Sequence, residues 1–515
     1  MRESASEPLT AISVPSDMIL VSEQDKVAHL LRRFGLGASE AELDFYGRDG
    51  LKGAIDKLLD FPSQPVVLDL TVEQLQGDQN ILRPQQASVY WLTRLLTSVR
   101  PLEEKLTLFW HDHFATSATK VSSGPIMYDH LATLRKHVFS RFEDMLLAVS
   151  HDVAMLFWLD NQLNVRGKPN ENFAREIMEL FTLGVGHYTE RDVQESARAF
   201  TGWTYAIQRG NRMIPIRGDQ LPRRGAVFYD DRAQHDPGIK EFLGNKGPFR
   251  GEDVVGILCG NPQTARYIAK KMWEFFAYPK PEAALVDRLA SIYRASGLDN
   301  KALVRAIMES PEFYSEKCAR KLVKHPVDFS VSIARQLGLG ARLVEGATEI
   351  DTRNPAARGR AVAPALITGQ AISAMGMQLL YPPDVNGWPS GLDWISTSTM
   401  VERIRLADRF FGNPTATTPQ RPAGAGQAPQ NNPGRGGTPS LRWPMWDILE
   451  RDSSAEGVAQ RMVSLLDAPI PPDKMAKLVA AARDQSQGPV TNRNANAVAW
   501  SVGRLIFGSP EFQFA

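Results

Sequence analysis

Cysteine is nearly missing: Cys259 and Cys318 are the only two in 515 residues, and they form no CxxC pair. A disulfide framework and a zinc knuckle are thereby excluded, and one isolated disulfide is the only bridge the sequence allows. A charge surplus is missing too, because 59 Lys and Arg against 58 Asp and Glu leave a formal net charge of +1, with no long block of one sign. Phosphate neutralisation needs a basic surplus or patch. The basic stretch from Arg209 to Arg224 lacks the interleaved aromatics of a single-strand groove, so no nucleic-acid partner is expected. No apolar run approaches the roughly 20 residues that cross a bilayer, and no transmembrane segment is expected. The opening MRESASEPLTAISVPSDMIL has no basic flank followed by a continuous apolar stretch. It is not read as a signal peptide, which places the chain in the cytoplasm as an expectation.

The established catalytic signatures are also lacking. There is no HExxH, no GxSxG ahead of a helix, no GxxxxGK[ST] and no strand-linked GxGxxG. Phosphoryl transfer, hydride transfer and serine hydrolysis therefore have no motif support, and neither cysteine has a local setting for nucleophilic attack.

What is present is helical periodicity. Val27, Leu30, Leu31 and Phe34 recur at three and four residues and stop at Gly35 and Gly37. Ser39 is placed to cap a second helix, and Gly50 to Leu59 supports a third. Pro101 opens a helix whose first turn carries Glu103 and Glu104, signs that suit the helix dipole. Thr189, followed by Asp192, forms a capping box with Asp in place of Glu. After Trp203, isolated apolar residues among Gly and Arg suggest a hairpin-like excursion.

The expectation is a mainly α protein: a large multi-helix, bundle-like domain with a small β-hairpin excursion and irregular loops. Residues 1–20 read as a loose leader and 21–411 as the main helical domain, with the excursion around 204–235. Residues 412–440 collapse to Pro, Gly, Ala, Thr, Gln and Asn, a low-complexity connector, and 441–515 form a C-terminal helical segment packing on the main domain. Ser-Pro-Glu-Phe recurs at 310–313 and 509–512, each time after an apolar helix. Ser-Pro stops such a helix, and the Phe can fold back onto it.

Three polar stretches carry the candidate chemistry. WHDHFATS at 110–117 holds His111 and His113. Positions i and i+2 on a helix are about 200° apart, so the two imidazoles share a ligand only where the helix ends or bends. Otherwise they face different elements, or one is a buried, hydrogen-bonded residue. In NENFAREIMELFTLGVG, Asn172, Glu176 and Glu179 fall on one side of a helix, beside the apolar strip of Phe173, Ile177 and Leu180. Paired carboxylates joined by histidines from other helices are how helical bundles build metal sites; the same spacing also suits a solvated face with Arg175 and Glu179 as an ion pair. HDPGIK supplies His235, Asp236 and Lys240, a ligand and base or a helix cap ahead of Ile239 and Phe242.

The enzyme reading takes His111, His113, Glu176, Glu179, His235 and Asp236 as catalytic residues. Of these His111, His113, Glu176, Glu179 and His235 are candidate ligands of a divalent metal ion, which would activate water; otherwise one of the paired carboxylates serves as acid or base. Arg175, Lys240, Trp388 and Trp394 are the candidate substrate contacts. The two tryptophans lie in NGWPSGLDW, where they either stack on a flat ligand or pin the loop to the helices. The alternative is a non-enzymatic scaffold whose polar motifs fix helix register.

HLLRRFGLGAS at 29–39, WHDHFATS, NENFAREIMELFTLGVGHYTERDVQESARAFTGW at 170–203, HDPGIKEFLG at 235–244 and PPDVNGWPSGLDWISTSTMVERIRLADRF at 382–410 carry a resemblance over nearly the whole chain. It resembles the large bacterial family of unknown function numbered 1800. The resemblance implies a mostly helical protein with no established general reaction, often exported and often encoded beside a sulfatase-like protein, which is therefore the candidate partner. With no visible leader here, either the chain works inside the cell, or its start is unusual, or export happens with a partner. The resemblance singles out Arg32, Arg33, His111, His113, Asn172, Arg175, Glu176, Glu179, Asp192, Arg198, Thr201, Gly202, Trp203, His235, Asp236, Lys240, Gly387, Trp388, Asp393 and Trp394, without giving any of them a role.

Overall fold

Side-chain caps set where the helices begin. Ser22 Oγ accepts from the Asp25 amide at 3.0 Å while Asp25 returns to the Ser22 amide, which starts α1 (Glu23–Phe34). Ser39 with Glu42 does the same for α2 (Glu40–Gly47), and α3 (Gly50–Leu59) follows. Each box satisfies two amides that the first turn otherwise leaves bare. The computed structural model describes residues 20, 22–37, 39–67, 72–76, 81–218, 221–222, 225–340, 343, 355–412 and 452–515. Nearly all of the expected leader and connector lie outside that set.

The body of the protein is built from α4 (Val72–Gln76), α5 (Pro84–Thr97), α6 (Pro101–His113), α7 (Gly124–His137), α8 (Phe142–Ser150), α9 (Val153–Trp158), α10 (Asn172–Glu179) and α11 (Glu190–Ala199). After the strands come α12 (Gly251–Gly260), α13 (Pro262–Phe276), α14 (Ala283–Ala295), α15 (Asn300–Met308), α16 (Pro326–Gln336), α17 (Pro355–Ala374) and α18 (Thr397–Phe411). The chain closes with α19 (Ala455–Leu465), α20 (Pro472–Ser486) and α21 (Ala495–Gly508). The fold is mainly α-helical with a small β excursion and irregular loops, as the periodicity indicated.

One continuous core runs through the helices. Trp91, Trp110, Trp203 and Trp273 are fully buried, and truncating any one to Ala costs about 3–5 kcal/mol. Phe34 stacks on Phe276 with ring centres 4.3 Å apart and interplanar angle 8°, joining α1 to α13. The C-terminal helices join this core through α18, whose Phe411 stacks near Phe507 of α21. Both Ser-Pro-Glu-Phe stretches end a helix in a short 3-10 turn, and Phe313 and Phe512 are fully buried.

The excursion is a three-stranded antiparallel sheet, with β1 (Trp203–Arg209) between β2 (Arg212–Ile216) and β3 (Ala226–Asp230). Its register pairs Ile207 with Ile214 and Tyr205 with Phe228. A second hairpin, β4 (Lys240–Phe242) with β5 (Asn245–Gly247), follows. The helix that could have begun near Ile239 is therefore a strand. Cys259 and Cys318 are free and buried, so the isolated disulfide is not formed. Among the described residues no helix is long and apolar enough to cross a membrane.

Candidate functional site

The WHDHF stretch is the last turn of α6 and the start of its exit. As the i, i+2 spacing required, the two imidazoles leave the helix towards different neighbours. His111 is fully buried against Trp91 of α5, His130 of α7 and Trp388, with ring centres 5.3, 5.8 and 5.3 Å away. Neither of its ring nitrogens has a hydrogen-bond partner. Burial, with a smaller contribution from His130, holds its pKa well below the usual imidazole value. His113 packs edge-on to Phe114 at 4.6 Å, and its Nε2 pairs with the Phe181 carbonyl at 3.1 Å. Burial, then the Lys271 ammonium, also holds His113 well below its usual value.

Asp112, between them, has the most specific contact of the stretch. Its Oδ1 accepts the Trp388 amide at 2.7 Å. The preceding Gly387 has φ +89°, and a Cβ there would lie 2.3 Å from Asp112 Oδ1 and 2.6 Å from its carbonyl oxygen. Only glycine lets the loop backbone approach this closely at that φ. Burial raises the Asp112 carboxyl to about 6, opposed by the Trp388 amide and by Lys271. Trp388 and Trp394 are themselves 8% and 4% exposed; both lie inside the loop that they anchor.

The carboxylates of α10 are half-buried. Glu176 is raised by burial and by Glu179, with Arg175 lowering it. Glu179 accepts the Tyr188 hydroxyl, and Tyr188 is raised to about 12, first by burial and then by that carboxylate. Arg175 turns away from Glu179 and forks onto Glu190 with two bonds of 2.8 Å, reaching Glu171 at 3.4 Å. The ion pair that the spacing suggested between Arg175 and Glu179 is thus replaced by two others. Tyr267 of α13 closes the space behind them, its hydroxyl donating to the Leu180 carbonyl at 3.0 Å.

HDPGIK is a strapped turn. Thr201 reaches it twice, through its carbonyl to His235 Nδ1 at 3.1 Å and through its hydroxyl to the Asp236 amide at 2.8 Å. Arg198 Nε donates to Asp236 Oδ2 at 2.8 Å while its Nη1 holds Glu195 at 2.9 Å. That guanidinium, together with the Gly238 amide, draws the Asp236 carboxyl down to about 2. Lys240 is fully buried and donates to the carbonyls of Asp236 and Gly238.

The ionisable side chains of the three stretches thus finish on separate partners, and the hydrogen bond between the first and second stretches runs from His113 to the Phe181 backbone carbonyl. Among the described residues, no three His, Cys, Asp or Glu side chains are grouped so as to hold a metal ion. The surface cavity between α5 and α17, around Ser88, Leu92, Gln370 and Met377, is lined by other residues. Sequence reasoning passed over His130, Asp152, Tyr188 and Lys271. His130 Nδ1 bonds Asp152 Oδ1 at 3.0 Å, and that same oxygen caps α9 through the Ala154 and Met155 amides. No local spacing connects His130 with His111. The signal that could have been used for Asp112 was its place between the two histidines, opposite a glycine-tryptophan loop.

A family profile described as "Protein of unknown function (DUF1800)" matches residues 29–514. No curated protein and no solved structure matches the chain.

Proposed function

The chain belongs to this family of uncharacterised proteins, and from that premise we propose that it is a helical accessory protein, a scaffold rather than a catalyst. On this reading its polar motifs are internal fastenings. The observation that carries it is the Asp112 carboxylate, which spends its buried position on the Trp388 backbone amide across a glycine that admits no side chain. The same pattern recurs where His113 holds a carbonyl, Arg198 and Thr201 strap the Asp236 turn, and Lys240 donates only to backbone. Buried polar groups satisfied in this way specify helix register and loop path, which a protein offering a fixed surface to a partner requires. The partner in this proposal is the sulfatase-like protein implied by the family resemblance.

A metal-assisted or carboxylate-histidine enzyme acting on a small molecule or polymer is the second reading. It is favoured by one observation: buried His111 has two uncommitted ring nitrogens, next to His130 whose Nε2 is also uncommitted. A metal-binding imidazole is usually oriented by a carboxylate hydrogen-bonded to its other nitrogen, as His130 is by Asp152.

Co-expression of the full chain with a sulfatase-like protein of the kind the family resemblance implies separates the two. The scaffold reading expects a complex of fixed stoichiometry by size-exclusion chromatography with light scattering, and no dependence of its assembly on His111. Turnover by the isolated chain that disappears in Glu176→Gln, with no complex, would replace the scaffold by the enzyme.

A further inference from the structure

The cavity between α5 and α17 stands apart by its lack of charge. Of the chain's residues 23% are charged, yet none of the twelve that line this cavity is. Two other surface cavities carry charges of both signs, Glu282 and Arg288 in one and Arg266 and Asp287 in the other. The α5–α17 cavity has a volume of about 320 Å³. That is the small end of the range for ligand pockets, about 300–1,000 Å³, which are mostly apolar with a few placed polar groups.

Floor and rim differ in chemistry. The floor is Leu92, Ile372, Met377 and Leu379, each at most 4% exposed, and Leu366, 42% exposed, carries the apolar wall out to the surface. Ser88 Oγ donates to the Leu379 carbonyl at 2.6 Å, which pins that floor to α5. At the exposed edge stand Gln85, Gln370 and Gln378. Their carboxamides hold no hydrogen bond among the described residues. On α17 the wall is Gly369, where a Cβ would lie 3.2 Å from Leu92 Cδ2. Glycine is the poorest helix former after proline; here it lets α17 approach Leu92 and leaves the space beside it open.

We propose that this cavity binds an uncharged aliphatic molecule, its chain laid on the floor and a hydroxyl or amide head on the rim carboxamides. At the ~30 Å³ that each water takes in the liquid, the cavity holds a ligand of about ten non-hydrogen atoms. An ionised head would find no countercharge among the lining residues, and a charge left unpaired against apolar surface is disfavoured. The lining also has no aromatic ring on which a sugar or a base could stack. Free carboxamides both donate and accept, which suits a neutral polar head. The occupant rests on α5 and α17 together, so this site is separate from the three polar stretches and does not depend on the scaffold reading.

The test is isothermal titration of the full chain at neutral pH with 1-hexanol, 1-heptanol and 1-octanol, and with octanoate and octylammonium. The expected result is saturable binding at one site that tightens about fourfold with each added methylene, with both ions at least about tenfold weaker than octanol. Gly369→Leu, which fills the space beside Leu92, should abolish it. Gln370→Lys changes only the exposed rim and decides the matter if the first variant fails to fold: the new ammonium should shift the ratio of octanoate to octanol affinity about two- to fivefold towards octanoate. The proposal is overturned if no alcohol binds saturably, if octanoate binds the parent chain as tightly as octanol, or if chain length has no effect. It is equally overturned if folded Gly369→Leu keeps the binding or if Gln370→Lys leaves the ratio unchanged.

Discussion

Replacing Gly387 by Ala tests the tightest contact on which the scaffold reading stands. The new methyl meets Asp112 Oδ1 at 2.3 Å and its carbonyl oxygen at 2.6 Å, with φ at +89°. Holding a non-glycine residue at positive φ costs about 1–2 kcal/mol. If the loop moves away to relieve the clash, the bond from the Trp388 amide to a carboxylate is lost, worth about 1.5–3 kcal/mol. The two together give about 2.5–5 kcal/mol of lost local stability. Because 1.4 kcal/mol is a factor of ten in an equilibrium constant, protection of the Trp388 amide against hydrogen exchange should fall by a factor of about 10² to 10³. Exchange is the suitable assay, since a chain of 515 residues need not unfold in one step, whereas local opening is read amide by amide. Amides of the β4–β5 hairpin serve as internal controls and should keep their protection. Unchanged protection at Trp388 in Gly387→Ala would refute the reasoning, because it would mean that the loop does not depend on this approach.

Further substitutions carry a sign in pH. Asp112→Asn retains an acceptor for the Trp388 amide and removes a carboxyl whose pKa is raised to about 6. A raised carboxyl binds more protons folded than unfolded, so it lowers stability as pH rises from about 4 to about 6. The Asn variant should therefore compare more favourably with the parent at pH 8 than at pH 4 in urea denaturation, and the reverse order would contradict the burial of Asp112. Asp236 is depressed to about 2, which supplies stability above about pH 4 that is lost as pH falls towards 2. Arg198→Ala should thus cost about 1–3 kcal/mol at pH 6, and the difference from the parent should narrow on acidification over that window. His111 is depressed by burial, so its contribution to stability is lost as pH falls below about 6.5, the unfolded value. His111→Leu should change stability by less than about 1.5 kcal/mol at pH 7.5 and remove this acid sensitivity. A loss above about 3 kcal/mol there would mean that the imidazole has a ligand.

The helices were legible because their signals are local. Ser39 with Glu42 and Thr189 with Asp192 form the boxes that their spacing implied, and Gly50–Leu59 is a helix over the expected residues. The excursion after Trp203 was legible through its broken periodicity. Where a polar side chain ends was not, because that depends on elements far along the chain. Asp112 meets Trp388, 276 positions away, and His130 meets Asp152 across 22. The spacing in α10 correctly put Glu176 and Glu179 on one side, yet it could not show that Tyr188 and Glu190 would compete for Glu179 and Arg175. HDPGIK misled for a related reason: Asp ahead of apolar residues suits a helix cap, but Arg198 and Thr201 claim the turn, and a strand follows.

The central claim is that the WHDHF stretch, the α10 carboxylates and the HDPGIK turn act separately as fastenings. The most direct measurement is anomalous diffraction above the zinc, copper, iron and manganese edges on crystals of the chain grown with those ions. The account expects no peak shared by His111, His113, Glu176, Glu179 or His235, with Asp112 still on the Trp388 amide. An ion bridging an imidazole of the first stretch to a carboxylate of α10 would contradict it.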